Sequence, residues 1–351
     1  MKSLSIVAMM AMIFSGCNAK EVHNKWMTNY GMTPCENPVF VQPTHTVSGG
    51  RVRGAGINMN DGEAYSDTRV DFSTEWHYAP KINLCQEEEN QWLRITGKER
   101  EDLLKFNVKQ INGCGAAVIY RDFRARRDEP NLGQILATYD EQAQLLDVMT
   151  LAEFYDLEEV LEAACTGAYT FKPNMGSRYL QYTSPGKFTV FSYYYFTKSG
   201  QASGEKWEEE RDYVIDEQGM VSMTACREKN RPQGLDAPWM LRDISMMPCH
   251  DAAAMLDRLV EVRPVLAGNE SLLAWHARLV RLIAMRNMAG FLTWCQGHRE
   301  ESISKNALKM IIDEEGPTPQ LMDMLIDTIN HLNTPVREYW KKALHDRVEN
   351  Q

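Results

Sequence analysis

The stretch from residue 179 to residue 226 constrains the fold most. Four runs rich in aromatic and β-branched residues occupy 179–182, 187–198, 205–215 and 220–226. Ser184-Pro185-Gly186, Ser199-Gly200 and Glu217-Gln218-Gly219 separate them. Strand-like runs divided by glycine and proline clusters predict consecutive antiparallel strands, a meander. The second run reads Phe188-Thr189-Val190-Phe191-Ser192-Tyr193-Tyr194-Tyr195-Phe196. Neighbouring residues of a strand point to opposite faces, so aromatics at both parities require both faces to be at least partly covered. Two arrangements satisfy that demand. Both faces are core, since aromatics pack well in sheets, or one face is core and Tyr193 and Tyr195 line a contact surface on the other. Rigid rings give a large contact area per ordered side chain, which makes Tyr193, Tyr195 and Trp207 the candidate binding residues.

Beyond residue 250 the period becomes helical. Asp251 is placed to cap 252–260, and Asn269 to cap a long helix over 270–294 with Leu272, Trp275, Leu279, Leu282 and Leu292 on one stripe. Gly316-Pro317 interrupts the pattern, and Thr318-Pro319 and Thr334-Pro335 are suited to open two further helices. A bundle of about five helices is predicted for 250–351.

Upstream, residues 70–76 alternate apolar and polar, and 92–95 and 116–120 also read as strands. The spacing over 99–108 predicts a helix. So does that over 132–165, from Ile135, Leu136, Tyr139, Ala143 and Leu146, with a second helical piece over 151–164. The fold class is therefore α+β. Its expected parts are a leader over 1–16, a tether over 17–38, a β-rich region over 39–130, an α+β unit carrying the meander over 131–230, and the bundle.

The chain has 351 residues and a formal net charge of −10. That balance excludes a general nucleic-acid partner, which needs clustered excess positive charge. Arg121, Arg124, Arg126 and Arg127 form a short basic cluster, read as a solvated face or as a contact for lipopolysaccharide phosphates or an acidic partner. The Gly-rich run over 48–56 lacks a following Lys-Ser or Lys-Thr and a helix pattern, so it is a loop, not a phosphate cradle.

At the start of the chain, Lys2 precedes an apolar run over 4–14 that ends in Phe14-Ser15-Gly16-Cys17. The run is too short to cross a bilayer and has the form of a secretory leader. Ending in small-small-Cys, this segment resembles the lipobox of bacterial lipoproteins. The resemblance implies removal of residues 1–16, lipidation of Cys17 with palmitate among the acyl chains, and a membrane held through that anchor. Asn18 in place of Asp points, within that class, to the outer membrane. An ordinary secretory leader cut after Ala19 is the alternative.

Seven further cysteines stand at 35, 85, 114, 165, 226, 249 and 295, with no Cys-x-x-Cys pair. In an oxidising compartment this reads as disulfides, not zinc. Sequential pairing gives Cys35–Cys85, Cys114–Cys165 and Cys226–Cys249, with Cys295 a buried helical thiol. Cys295 and His298 lie one turn apart without a second pair, so no metal and no cofactor is expected. Cys249-His250-Asp251 lines up a thiol, a base and a carboxylate, but working dyads assemble from distant segments, so a disulfide and a helix cap are the better reading. Glu208 and Glu210 form a Glu-x-Glu on a strand. With Arg51 or Arg53 and Ser73-Thr74 they loosely resemble the Arg, Ser-Thr, Glu-x-Glu order of ADP-ribosyltransferases, which implies an acid/base pair at Glu208 and Glu210. On an alternating strand, however, Glu208, Glu210 and Asp212 share one solvated face. The balance favours a non-catalytic envelope binding, assembly or inhibitor module with a protein or polymer partner. An envelope or secreted enzyme and a small-molecule carrier are the alternatives.

Overall fold

The computed structural model describes residues 69–71, 103–111, 114–122, 134–152, 169–171, 177–198, 204–233, 236–312 and 319–349. Two antiparallel sheets and a helical set make up this part, an α+β fold. The larger sheet contains the meander: β7 (Ser177–Ser184), β8 (Lys187–Lys198), β9 (Glu205–Ile215) and β10 (Val221–Lys229) pair in succession. Two short strands, β1 (Arg69–Asp71) on β7 and β6 (Tyr169–Phe171) on the end of β8, complete its six strands. The predicted turns stand where Ser184-Pro185-Gly186 and Glu217-Gln218-Gly219 put them. Gly186 and Gly219 take positive φ of 71° and 80°, which a side chain would resist.

The second sheet runs β2 (Leu103–Gln110), β3 (Ala116–Asp122), β4 (Gln134–Tyr139), β5 (Leu145–Ala152), in that order. Its strands come from both sides of residue 130. Two helices expected from the sequence are replaced here: 99–108 largely becomes β2, and the start of 132–165 becomes the β4–β5 hairpin. The physical reason lies in burial. Ile135, Leu136, Ala137, Leu145, Val148, Met149 and Leu151 are all buried. A strand covered on both faces writes a continuous apolar run that satisfies helical spacing as well as strand spacing.

This small sheet is the middle layer. Ala117, Ile119, Leu136, Met149 and Leu151 face the meander and share a core with Leu180, Phe188, Val190, Tyr213 and Val221. Phe188 and Tyr213 stack there, centroids 5.1 Å apart and planes within 16°. The opposite face, with Val118, Tyr120, Ala137 and Tyr139, joins the core of the helices.

Eight helices follow among the described residues: α1 (Asp236–Ser245), α2 (Ala252–Val262), α3 (Glu270–Arg286), α4 (Met288–Gly297), α5 (Ser302–Lys305), α6 (Ala307–Ile311), α7 (Pro319–His331) and α8 (Thr334–Glu349). The Asn269 side chain caps α3 by accepting from the Leu272 N–H at 3.0 Å. The single helix expected over 270–294 breaks at Asn287, whose φ of −138° and ψ of 68° leave the helical region. Its carboxamide then caps α4 by accepting from Gly290 N–H at 2.9 Å. Asn333, not Thr334, caps α8 through the Val336 N–H, and Thr318 lies outside the described residues. Trp340 Nε1 donates to the Leu292 carbonyl at 2.9 Å, fastening α8 to α4. No helix of the described residues is long and apolar enough to cross a membrane.

Candidate functional site

The outward face of the meander carries the sequence candidates Tyr193, Tyr195, Glu208 and Glu210. Along β9, Trp207, Glu209, Arg211, Tyr213 and Ile215 are buried, and the residues between them are half-buried. The β8–β9 register sets Tyr193 opposite Glu208 and Tyr195 opposite Lys206, so both tyrosines turn outward with the even-numbered residues of β9. Their rings meet edge to face with centroids 5.9 Å apart. The Lys206 ammonium sits 4.4 Å over the Tyr193 ring and 2.5 Å from the Glu208 carboxylate. Beside it, Arg227 of β10 reaches Glu210 at 3.0 Å and Asp212 at 2.7 Å, and Thr189 Oγ1 donates to Asp212 at 2.7 Å.

This arrangement bears on the Glu-x-Glu. The hydrogen bond from Lys206 holds Glu208 below its ordinary range, and that from Arg227 does the same for Asp212. A general acid working near neutral pH needs the opposite, a carboxyl raised by burial or a like charge. Arg51, Arg53, Ser73 and Thr74 lie outside the described residues.

Trp207 is not a contact residue. It is fully buried, its ring 4.6 Å from that of Trp239 on α1 and 4.8 Å from the Arg242 guanidinium. The cause is strand parity, which turns Trp207 inward with Glu209 and Arg211. Glu209 receives two hydrogen bonds from Arg242, at 2.9 and 2.8 Å, and one from Arg211 at 2.8 Å. Asp243 closes the group on Arg211. Burial alone would raise Glu209, yet the charges and hydrogen bonds of Arg242 and Arg211 hold it well below the usual carboxylate range. Cys226 and Glu228 of β10 bring a sulfur and an oxygen within 4.8 Å of a Glu209 oxygen. Two guanidinium groups already occupy Glu209, so this trio is an ion-pair cluster, not a cation site. The inner face also carries the Phe188–Tyr213 stack.

Cys226 and Cys249 are not joined by a disulfide, which corrects the expected Cys226–Cys249 pair. Cys226 is exposed on β10, whereas Cys249 is buried in a 3-10 turn, Cys249–Asp251, within the core of the helices. Cys114 is disulfide-bonded, to a cysteine outside the described residues. Cys17, Cys35, Cys85 and Cys165 also lie outside them. Cys295 is a buried thiol of α4, pushed by burial up to about 11. The His298 ring stacks on Trp294 at 4.3 Å, its Nδ1 2.9 Å from the Trp294 carbonyl oxygen.

In Cys249-His250-Asp251, the partner of the histidine comes from far away. His250 Nδ1 lies 2.6 Å from Asp147 Oδ2, and its N–H donates to Asp147 Oδ1 at 3.2 Å. Asp147 also accepts from the Val221 N–H at 3.0 Å. One buried carboxylate thereby ties β5, the start of β10 and the 3-10 turn together. The hydrogen bond to Asp147 raises His250 above its ordinary value, against the effect of burial. Sequence reasoning missed Asp147, though a lone carboxylate inside Leu145-Leu146-Asp147-Val148-Met149 is a signal, because a buried charge requires a partner.

In comparisons with known proteins, no family model, no curated protein and no solved structure matches the chain.

Proposed function

We propose that this protein is a cell-envelope lipoprotein whose folded part is a non-catalytic binding module. Lipidated Cys17 tethers it at the outer membrane, and the outward face of the meander contacts an envelope protein or polymer. The observation that carries the reading is the Tyr193–Tyr195 pair, half-buried and in register with the Lys206–Glu208 ion pair. Such a patch offers apolar ring area and polar groups on a rigid strand scaffold, the mixture that protein interfaces use at their anchors. The Glu-x-Glu favours this over an enzyme, since salt bridges occupy both carboxylates.

The test places a photo-crosslinking residue at position 193 in cells that produce the full chain. The expected result is one discrete adduct, lost on Tyr195→Ala and retained on Glu208→Gln and Glu210→Gln. An adduct that survives Tyr195→Ala, or a function lost with Glu208→Gln in folded protein, overturns the reading. Palmitate labelling of wild type against Cys17→Ser tests the anchor separately.

A further inference from the structure

We infer that His250 Nε2 and the Asp251 carboxylate form an exposed binding site for a borderline divalent cation of the zinc class. The His250 ring is held by its other nitrogen. Nδ1 lies 2.6 Å from Asp147, whose side chain is 1% exposed and anchored by three backbone N–H groups, those of Val148, Val221 and His250. A carboxylate on Nδ1 fixes the tautomer, with the proton on Nδ1 and the lone pair on Nε2, and raises the basicity of Nε2. This is the arrangement that supports metal-binding histidines.

The rest of the site is directed outward. The His250 and Asp251 side chains are 30% and 52% exposed, and Nε2 stands 3.6 Å from Asp251 Oδ1. That separation exceeds a hydrogen bond, and it is close to the distance between two ligand atoms on one tetrahedral ion with metal bonds of about 2.0–2.2 Å. Asp251 occupies the N-cap position of α2 yet makes no capping hydrogen bond, so its oxygens are not committed to the helix. Asp147, Asp216 and Asp251 all act on His250 as negative charges, a field that favours a cation. A joint serving only to fasten the turn to the sheet needs the Nδ1 bond alone. Nε2 and the Asp251 carboxylate face each other, and neither makes a hydrogen bond among the described residues. Imidazole with carboxylate suits zinc, nickel or copper better than calcium or magnesium. Water completes the coordination, as the exposure allows. A cation held there revises the expectation, drawn from cysteine spacing, that the chain holds no metal.

Zinc chloride titrated into the purified full chain in detergent tests this, by calorimetry and by nitrogen NMR of the histidine rings. The expected result is a site weakened at least about tenfold by Asp251→Asn and by His250→Gln, with the His250 Nε2 resonance shifting on zinc addition. Asp251→Asn leaves the Asp147 contact intact, so it decides the matter even if His250→Gln fails to fold. Zinc affinity unchanged in Asp251→Asn, or an Nε2 resonance that zinc does not move, overturns the proposal.

Discussion

Arg242 of α1 and Glu209 of β9 meet through two parallel hydrogen bonds of 2.9 and 2.8 Å, both residues almost fully buried. This fork, with Arg211 on the same carboxylate, fixes the first helix over the meander. Removing one member of a buried ion group leaves its partner charged and unsolvated, at a cost of about 3–5 kcal/mol. Glu209→Gln is therefore expected to lower stability by about that amount, since it leaves two guanidinium groups with only the half-buried Asp243 as a counter-charge. Glu208→Gln, one residue away on the solvated face, is expected to leave the urea midpoint unmoved. Equal midpoints for the two variants would show that the fork does not hold the helix.

His276 of α3 carries a different dependence. It is buried and its Nε2 donates to the Leu259 carbonyl at 2.9 Å. Burial lowers it below the ordinary 6.5, the Arg263 charge adds to that, and the backbone hydrogen bond opposes it. The unfolded chain thus binds the proton more readily than the folded one, so stability rises with pH across the window. The contribution is present above about 6.5 and is lost as pH falls through that value toward the folded one. His276→Gln keeps a donor for Leu259 but does not titrate. Urea midpoints of wild type and variant are expected to converge at higher pH and to separate below it, with wild type falling more steeply. Parallel curves would rule out His276 as the source.

The meander and the C-terminal helices were legible because each rule acted locally. Gly186 and Gly219 mark their turns, and Asn269 its helix start. The β4–β5 hairpin was hidden although its turn is the same as that between β9 and β10. Asp216 accepts from the N–H groups of residues two and four ahead, at 2.9 and 2.8 Å, with Gly219 at positive φ. Asp140 makes the same two bonds at 2.9 and 2.8 Å, with Ala143 at a φ of 63°. Alanine at that position does not announce a turn, so the apolar runs on either side merged into one apparent helix. The site residues were half legible. The outward placement of Glu208, Glu210 and Asp212 follows from strand parity. The same parity makes Glu209 and Arg211 inward, but the run Glu208-Glu209-Glu210 looks uniformly solvated until Trp207 and Tyr213 are used to set the phase. Arg242 and Asp147 meet their partners only through tertiary packing, 33 and 103 residues away.

Among the described residues, three thiols of different exposure predict an order of modification. Cys226 is exposed, whereas Cys249 and Cys295 are buried, and burial raises both Cys226 and Cys295, the latter to about 11. A maleimide added to native, non-reduced protein is expected to label Cys226 first, and Cys249 and Cys295 only on unfolding. Peptide mass spectrometry reads the sites. A Cys226 that resists labelling until reductant is added would restore the Cys226–Cys249 disulfide.

Ala143 and Gly219 occupy equivalent turn positions, which gives a paired prediction. A non-glycine residue in the left-handed region costs about 1–2 kcal/mol, whereas glycine adds about 0.5–1 kcal/mol of unfolded-state entropy. Ala143→Gly is therefore expected to stabilise the β4–β5 hairpin slightly, by up to about 1 kcal/mol. Gly219→Ala is expected to destabilise by more than the same exchange gains. Its new Cβ would stand 2.3 Å from Leu146 Cδ1, and the Gly219 carbonyl accepts the Thr138 hydroxyl at 2.6 Å, tying the turn to β4. Denaturant midpoints of the two single variants measure both signs. A loss of stability in Ala143→Gly would mean that the alanine methyl, packed against the helical core, outweighs the relief of backbone strain.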